Sequence, residues 1–122
     1  MNTYPMTPEA QQLAQALLDH HRKFCRLQSV KTSNTDSCLI AYGDLCERAG
    51  LPRLKPMVGK YLREVAQWCQ DNGWPPLNAL AVNHDTQRPG QGYDRAPGCN
   101  RETWQDEVAA AINFAGYPDF IS

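Results

Sequence analysis

The fold is decided by residues 39–93, which read LIAYGDLCERAGLPRLKPMVGKYLREVAQWCQDNGWPPLNALAVNHDTQRPGQGY. Within this stretch, residues 42–49 and 57–71 each carry apolar side chains at intervals of three and four, the spacing of one helical face. Residues 51–56 between them contain two prolines, and each proline restricts the backbone of the residue before it. We therefore expect a short helix, a stiff connection and a longer amphipathic helix.

A strand and a hairpin are expected after the second helix. Residues 77–82 alternate apolar side chains with smaller ones, as a half-buried strand does. Residues 84–92 contain a Pro-Gly pair and a second glycine, which favour a turn, and Tyr93 is placed to anchor the return strand. Helix, turn, helix, strand and glycine-rich hairpin, in this order, predict an α+β, mainly helical fold with a winged helix-turn-helix core.

Two further helices are expected to flank this core. Thr7 and Pro8 suit a helix start, and apolar residues recur at helical spacing from there to Leu27. Asn100 suits a second helix start. The polar residues 28–37 have no apolar period and predict an exposed loop. The 122 residues therefore predict a single domain with an N-terminal helix over 7–27, a winged-helix core over 39–93 and a C-terminal helix over 100–115.

Composition excludes some classes of protein. Hydrophobic residues make up 42% of the chain, charged residues 20%, and the net charge is -1, which is typical of a folded globular protein and not of a disordered one. A near-neutral charge argues against binding phosphates over the whole surface, so any basic site must be local.

The cysteines and the chain ends set further limits. Five cysteines, an odd number without a C-x-x-C pair, predict reduced and mostly buried thiols instead of a disulfide framework or a zinc site. No secretion signal or membrane-spanning run is evident, so we expect a cytoplasmic location. No cofactor and no metal are expected.

The sharpest local feature is a run of positive charge. From Arg48 to Arg63 there are five basic residues and no acidic one. Side chains spaced by three and four project from the same helix face, as a recognition helix requires. The alternative is that this basic helix face is merely solvated. Glu64 and Asp71 favour the alternative, because they dilute the positive charge of the same face. The nucleic-acid-binding residues predicted from this pattern, with one in the hairpin, are Arg53, Lys55, Lys60, Arg63, Gln67 and Arg88.

Support for an enzyme is weak. Cys99 stands just before a predicted helix, where the helix dipole can lower the pKa of a thiol. A nucleophilic thiol also needs a base, and His84 is the candidate for that role. We expect no catalytic residue, and we keep a thiol enzyme built on Cys99 and His84 as a minor alternative.

Four short motifs follow one another in the chain: Tyr42-Gly43-Asp44-Leu45, Val58-Gly59, residues 75–82 and Gly90-Gln91-Gly92-Tyr93. Together they resemble the DNA-binding domain of alkylguanine DNA alkyltransferases and alkyltransferase-like proteins. The resemblance covers about residues 39–93 and implies a winged helix whose second helix enters a DNA groove. It departs from the family at the reactive proline-cysteine-histidine-arginine motif, where this chain has Ala81-Val82-Asn83-His84. Alkyl transfer to a thiol at that position is therefore excluded.

These observations predict a small, non-enzymatic winged-helix module that binds DNA or acts in a nucleic-acid-handling complex. The alternative is a protein-binding inhibitor or immunity-type protein of a mobile element that uses the same fold as a protein interface. The modest length and near-neutral charge favour this alternative.

Overall fold

A computed structural model describes residues 6–26 and 38–121, with the side chains of Arg26 and Gln91 excepted. The predicted loop over 28–37 and the predicted helix end at Leu27 lie outside the described residues. Helix α1 spans Pro8–His20 and continues as a π-helical turn over His21–Arg26. As predicted, Thr7 caps α1, because its hydroxyl accepts a hydrogen bond from the Ala10 amide at 3.3 Å.

The two central helices form where the apolar periodicity predicts them. Helix α2 spans Tyr42–Arg48 and helix α3 spans Val58–Asp71. The connection between them contains a 3-10 helix over Pro52–Met57. Gly50 and Gly73 follow the two α-helices with φ angles of 79° and 75°, the left-handed conformation that ends helices and suits glycine.

The strand predicted over 77–82 is wrong for its first four residues. Leu77–Leu80 form a 3-10 helix, and only Ala81–Val82 form a strand, β2. Strand β1, Ile40–Ala41, pairs with β2 in parallel, with Ile40 opposite Ala81. All four residues of the 3-10 helix are buried among α1, α3 and the C-terminal helix. The prediction assumed that buried and exposed side chains alternate here, as in a half-buried strand, and they do not.

The predicted β-hairpin is also wrong. A tight loop does form, since the Asn83 amide donates to the Arg88 carbonyl at 2.8 Å. The return strand is absent, because Gln91–Arg95 form a 3-10 helix that contains the buried Tyr93. The Gly90 amide donates to the hydroxyl of Tyr42 instead of to a strand. The described architecture is therefore mainly helical, with a two-stranded parallel sheet.

The C-terminal helix begins as predicted and ends earlier. Asn100 caps a 3-10 turn over Arg101–Thr103, and its side chain accepts from the Glu102 amide at 2.8 Å. Helix α4 follows over Trp104–Asn113, so the predicted end at residue 115 is two residues too long.

The core lies where α1, α3, α4 and the Leu77–Leu80 turn meet. Its largest fully buried side chains include Leu13, Leu17, Leu45, Leu77 and Leu80. The five cysteines are free; four are buried and Cys99 is half-buried, in agreement with the prediction of mostly buried thiols. None of the helices in the described ranges is long and apolar enough to cross a bilayer.

Candidate nucleic-acid interface

A cavity of about 210 Å³ lies between the first half of α3 and the segment from Gly90 to Ala96. We call it the α3 cavity. One part of its wall is apolar, and polar groups from several elements line the rest. The apolar wall is formed by Pro56, Val58, Leu62, Tyr93 and Ala96, and the polar side chains are those of Tyr42, Lys55, Arg63 and Asn78.

Tyr42 supplies a hydrogen-bond donor to the α3 cavity. Its hydroxyl oxygen accepts from the Gly90 amide at 2.8 Å, which leaves its own proton available. Burial raises the pKa of Tyr42 above its ordinary value near 10.0, although the bond from Gly90 and the charge of Arg101 oppose the rise. The phenol therefore stays protonated at neutral pH and can donate to a ligand.

Asn78 supplies an unsatisfied acceptor. Its side chain is 3% exposed, and its amide nitrogen donates to the Cys99 sulfur at 3.6 Å. Its carbonyl oxygen Oδ1 is buried and has no hydrogen-bond partner in the described structure. Buried polar atoms are nearly always hydrogen-bonded, so this acceptor without a partner is an exception within the residues that form the cavity wall.

Two cations stand at the same cavity. The aliphatic stem of Lys55 passes Gly43, where an added Cβ would lie 3.7 Å from Lys55 Cδ. Arg63 is half-buried, and its Nη1 lies 3.7 Å from the position of a Cβ on Gly92. Neither cation has an ion-pair partner within residues 6–26 and 38–121. Their charge is therefore available to an anion outside the chain.

Three other predicted site residues lie outside the cavity wall. Lys60 is exposed, and its Nζ lies 5.5 Å from the centre of the Tyr61 ring. Gln67 donates to Asp71 at 2.9 Å, so its side chain is held by a neighbouring acid. Arg53 is exposed in the connection before α3. The structure thus brings Lys55 and Arg63 to one cavity and leaves these three outside it.

Arg88 lies elsewhere. It lines a second cavity of about 420 Å³, between the 83–88 loop and α4, together with Leu39 and Trp104. The sequence pattern grouped Arg88 with the basic residues of α3 because a hairpin wing was expected. In the structure the two sets line different cavities.

Sequence reasoning missed Tyr42, Asn78 and Tyr93 as site residues. A signal existed for Asn78, since it is the one amide in the otherwise apolar run over 77–82. No local signal could place Tyr42 beside Gly90, because 48 residues separate them.

The thiol-enzyme alternative loses its support. Burial raises the pKa of Cys99, and the neighbouring side chains of Asn78 and Tyr93 only partly oppose that effect. A raised pKa disfavours the nucleophilic thiolate. His84 is 79% exposed and pairs with Asp85 at 3.3 Å, and no hydrogen bond of the described residues joins it to Cys99. The residues placed by the structure include no cluster of three or more metal-ligating side chains.

No known protein family, curated protein or solved structure matches the chain.

Proposed function

We propose that the chain is a non-enzymatic DNA-binding module of winged-helix type. In this proposal α2, the connection and α3 act as a helix-turn-helix, α3 lies against the duplex, and the 83–88 loop stands in place of a hairpin wing. The α3 cavity holds one unstacked base. The observation that carries the proposal is that Lys55 and Arg63, which have no ion-pair partner among the described residues, line one cavity with Tyr42 and Asn78.

The cations support contact with phosphates. Lys55, Lys60 and Arg63 are placed along or just before the outward side of α3, and phosphate contacts supply most of the affinity of such proteins. Because the net charge of the chain is -1, its surface as a whole does not attract a polyanion, and these three cations would have to hold it.

The cavity wall supports a nucleobase as the enclosed group. Its volume of about 210 Å³ is below the roughly 300–1,000 Å³ of sites for drug-sized ligands, so it suits one ring system. Tyr93 and Leu62 offer apolar surfaces to a flat ring. The Tyr42 hydroxyl can donate to the edge of a base, and the Asn78 side-chain amide belongs to the same cavity wall.

Salt-dependent binding tests the phosphate contacts. Fluorescence anisotropy with a labelled duplex should show affinity falling steeply between about 50 mM and about 200 mM salt. Lys55→Ala and Arg63→Ala should each reduce affinity about five- to tenfold and lower the salt slope by about 1. Lys23→Ala is the matched control, because Lys23 is exposed in the turn after α1 and outside the cavity. Equal losses in Lys55→Ala and Lys23→Ala would count against the site.

A second comparison tests the enclosed base. Extruding a base costs a few kcal/mol from a paired duplex and least when the base is already unpaired. A duplex with one unpaired base should therefore bind about tenfold more tightly than a fully paired one. Asn78→Leu should remove this preference and leave the affinity for the paired duplex unchanged. If the two duplexes bind equally to the natural chain, the base-holding role is wrong while the phosphate role can stand.

A second candidate function is that of a protein-binding inhibitor or immunity-type protein. The exposed apolar side chains favour it: Met57 is 52% exposed and Phe120 is 70% exposed. Co-purification with the natural chain and with a variant carrying both Lys60→Glu and Arg63→Glu distinguishes the two functions. A protein partner retained by this variant, with no binding of the natural chain to DNA at low salt, would favour the inhibitor.

A further inference from the structure

Two buried thiols meet at the junction between the N-terminal helix and the sheet. Cys25 belongs to the π-helical turn after α1, and Cys38 stands two residues before β1. They are 7% and 6% exposed, and both belong to the same cluster of buried side chains. In sequence they flank the twelve residues 26–37.

Other contacts hold Cys38 against the N-terminal helix. Its thiol donates to the Phe24 carbonyl at 3.4 Å, next to Cys25 in the chain. Its backbone carbonyl lies 2.9 Å from His20 Nε2, about one helical turn earlier. Cys38 is therefore anchored at both its backbone and its side chain on the segment that carries Cys25.

We propose that Cys25 and Cys38 form a reversible disulfide, a redox-sensitive clasp between the N-terminal helix and β1. The proposal is independent of DNA binding. The oxidant is a low-molecular-weight disulfide such as oxidised glutathione. One cysteine thiolate attacks a sulfur of this disulfide, a mixed disulfide forms and one glutathione thiolate leaves. The second cysteine thiolate attacks the protein sulfur of the mixed disulfide, and the second glutathione thiolate leaves.

The reaction is balanced as a two-electron exchange. The two cysteines lose two protons and two electrons, and oxidised glutathione becomes two glutathione thiols. Burial raises the pKa of Cys25, and the neighbouring Cys38 thiol adds to this effect, so the exchange should be slow at neutral pH and faster at higher pH. The bond from the Cys38 thiol to the Phe24 carbonyl holds Cys38 beside the residue that precedes Cys25, so the clasp should form in preference to other cysteine pairs.

Intact-mass measurement of the natural chain with oxidised glutathione tests the clasp. We expect the loss of two hydrogen atoms, a cross-linked peptide containing Cys25 and Cys38, and a thermal midpoint higher by about 10 °C, since the link restricts the unfolded chain. Dithiothreitol should reverse all three changes. Cys99→Ser is the control variant and should still oxidise, whereas Cys25→Ser should not.

Three results would overturn the clasp. They are glutathione adducts without hydrogen loss, a cross-link between any other pair of cysteines, and the same hydrogen loss in Cys25→Ser. Because peptide mapping of the natural chain identifies the linked pair, the test does not depend on the serine variant folding.

Discussion

Replacing Asn78 with leucine should make the protein more stable while it loses its preference for an unpaired base. The Asn78 side chain is buried, and its Oδ1 lacks a partner in the described structure. A buried polar atom without a partner costs about 1–3 kcal/mol. The lost hydrogen bond to Cys99 is long, at 3.6 Å, and involves a weak sulfur acceptor, so its removal costs at most about 1 kcal/mol.

Relief of the cost at Oδ1 should outweigh loss of the bond to Cys99, so Asn78→Leu should have a free energy of unfolding higher by about 1 kcal/mol and a thermal midpoint higher by about 4 °C. Leucine branches at the same carbon as asparagine, and the adjoining α3 cavity leaves room for its methyl groups. Urea denaturation measures the free energy, and the duplex comparison measures the binding preference. Asn113→Leu is the control, since Asn113 is exposed and should change stability by less than about 0.5 kcal/mol. A loss of about 1 kcal/mol or more in Asn78→Leu would refute the reasoning, because it would show that Oδ1 already has a partner.

Three other predictions concern stability and reactivity. Burial lowers the pKa of His20 below its ordinary value near 6.5, so the unfolded chain takes up this proton at a higher pH than the folded chain. The stability that the neutral imidazole contributes should be complete above about pH 6.5 and fall as the pH drops below it. Urea denaturation at several pH values should therefore show a free energy of unfolding that depends less on pH in His20→Gln than in the natural chain. Trp104→Phe removes the buried hydrogen bond of 2.9 Å from Trp104 Nε1 to the Ala79 carbonyl. In the same assay this variant should have a free energy of unfolding lower by about 3 kcal/mol, and a decrease under about 1 kcal/mol would contradict the prediction. Iodoacetamide should label Cys99 slowly near neutral pH and faster at higher pH, and rapid labelling of the folded protein at neutral pH would contradict the raised pKa.

The helices were predictable because their signals are local. The Thr7 and Asn100 caps, Gly50 and Gly73 lie in the sequence next to the helix ends that they form. Each acts through its own side chain or its own φ angle, so no knowledge of distant segments was needed.

The strand and the hairpin were not predictable in the same way. Ala81 pairs with Ile40, which is 41 residues earlier, and this parallel pairing leaves no antiparallel return strand after the 83–88 loop in the described structure. The turn signal at Pro89-Gly90 correctly indicated a reversal of the chain but carried no information about the structure of residues 91–95. Long-range pairing and the burial of Tyr93 decided the outcome.

The candidate site was predictable in part. The spacing of Lys60 and Arg63 placed both on the outward side of α3, where the structure has them half-buried or exposed. The sequence could not show that Arg63 and Lys55 line a cavity with Asn78, because that cavity depends on contacts between α3 and the segment after Gly90. Charge patterns identify exposed faces, whereas cavities arise from tertiary packing.

The central claim is that the side of α3 beside the α3 cavity contacts DNA. The most direct measurement is a titration of the ¹⁵N-labelled protein with a short duplex at low salt, monitored through amide chemical shifts. We expect the largest shift changes at Lys55, Gly59, Arg63 and Gly92, and we expect these changes to reverse when salt is added. Changes concentrated near Phe120 and α4, or none at low salt, would contradict the claim.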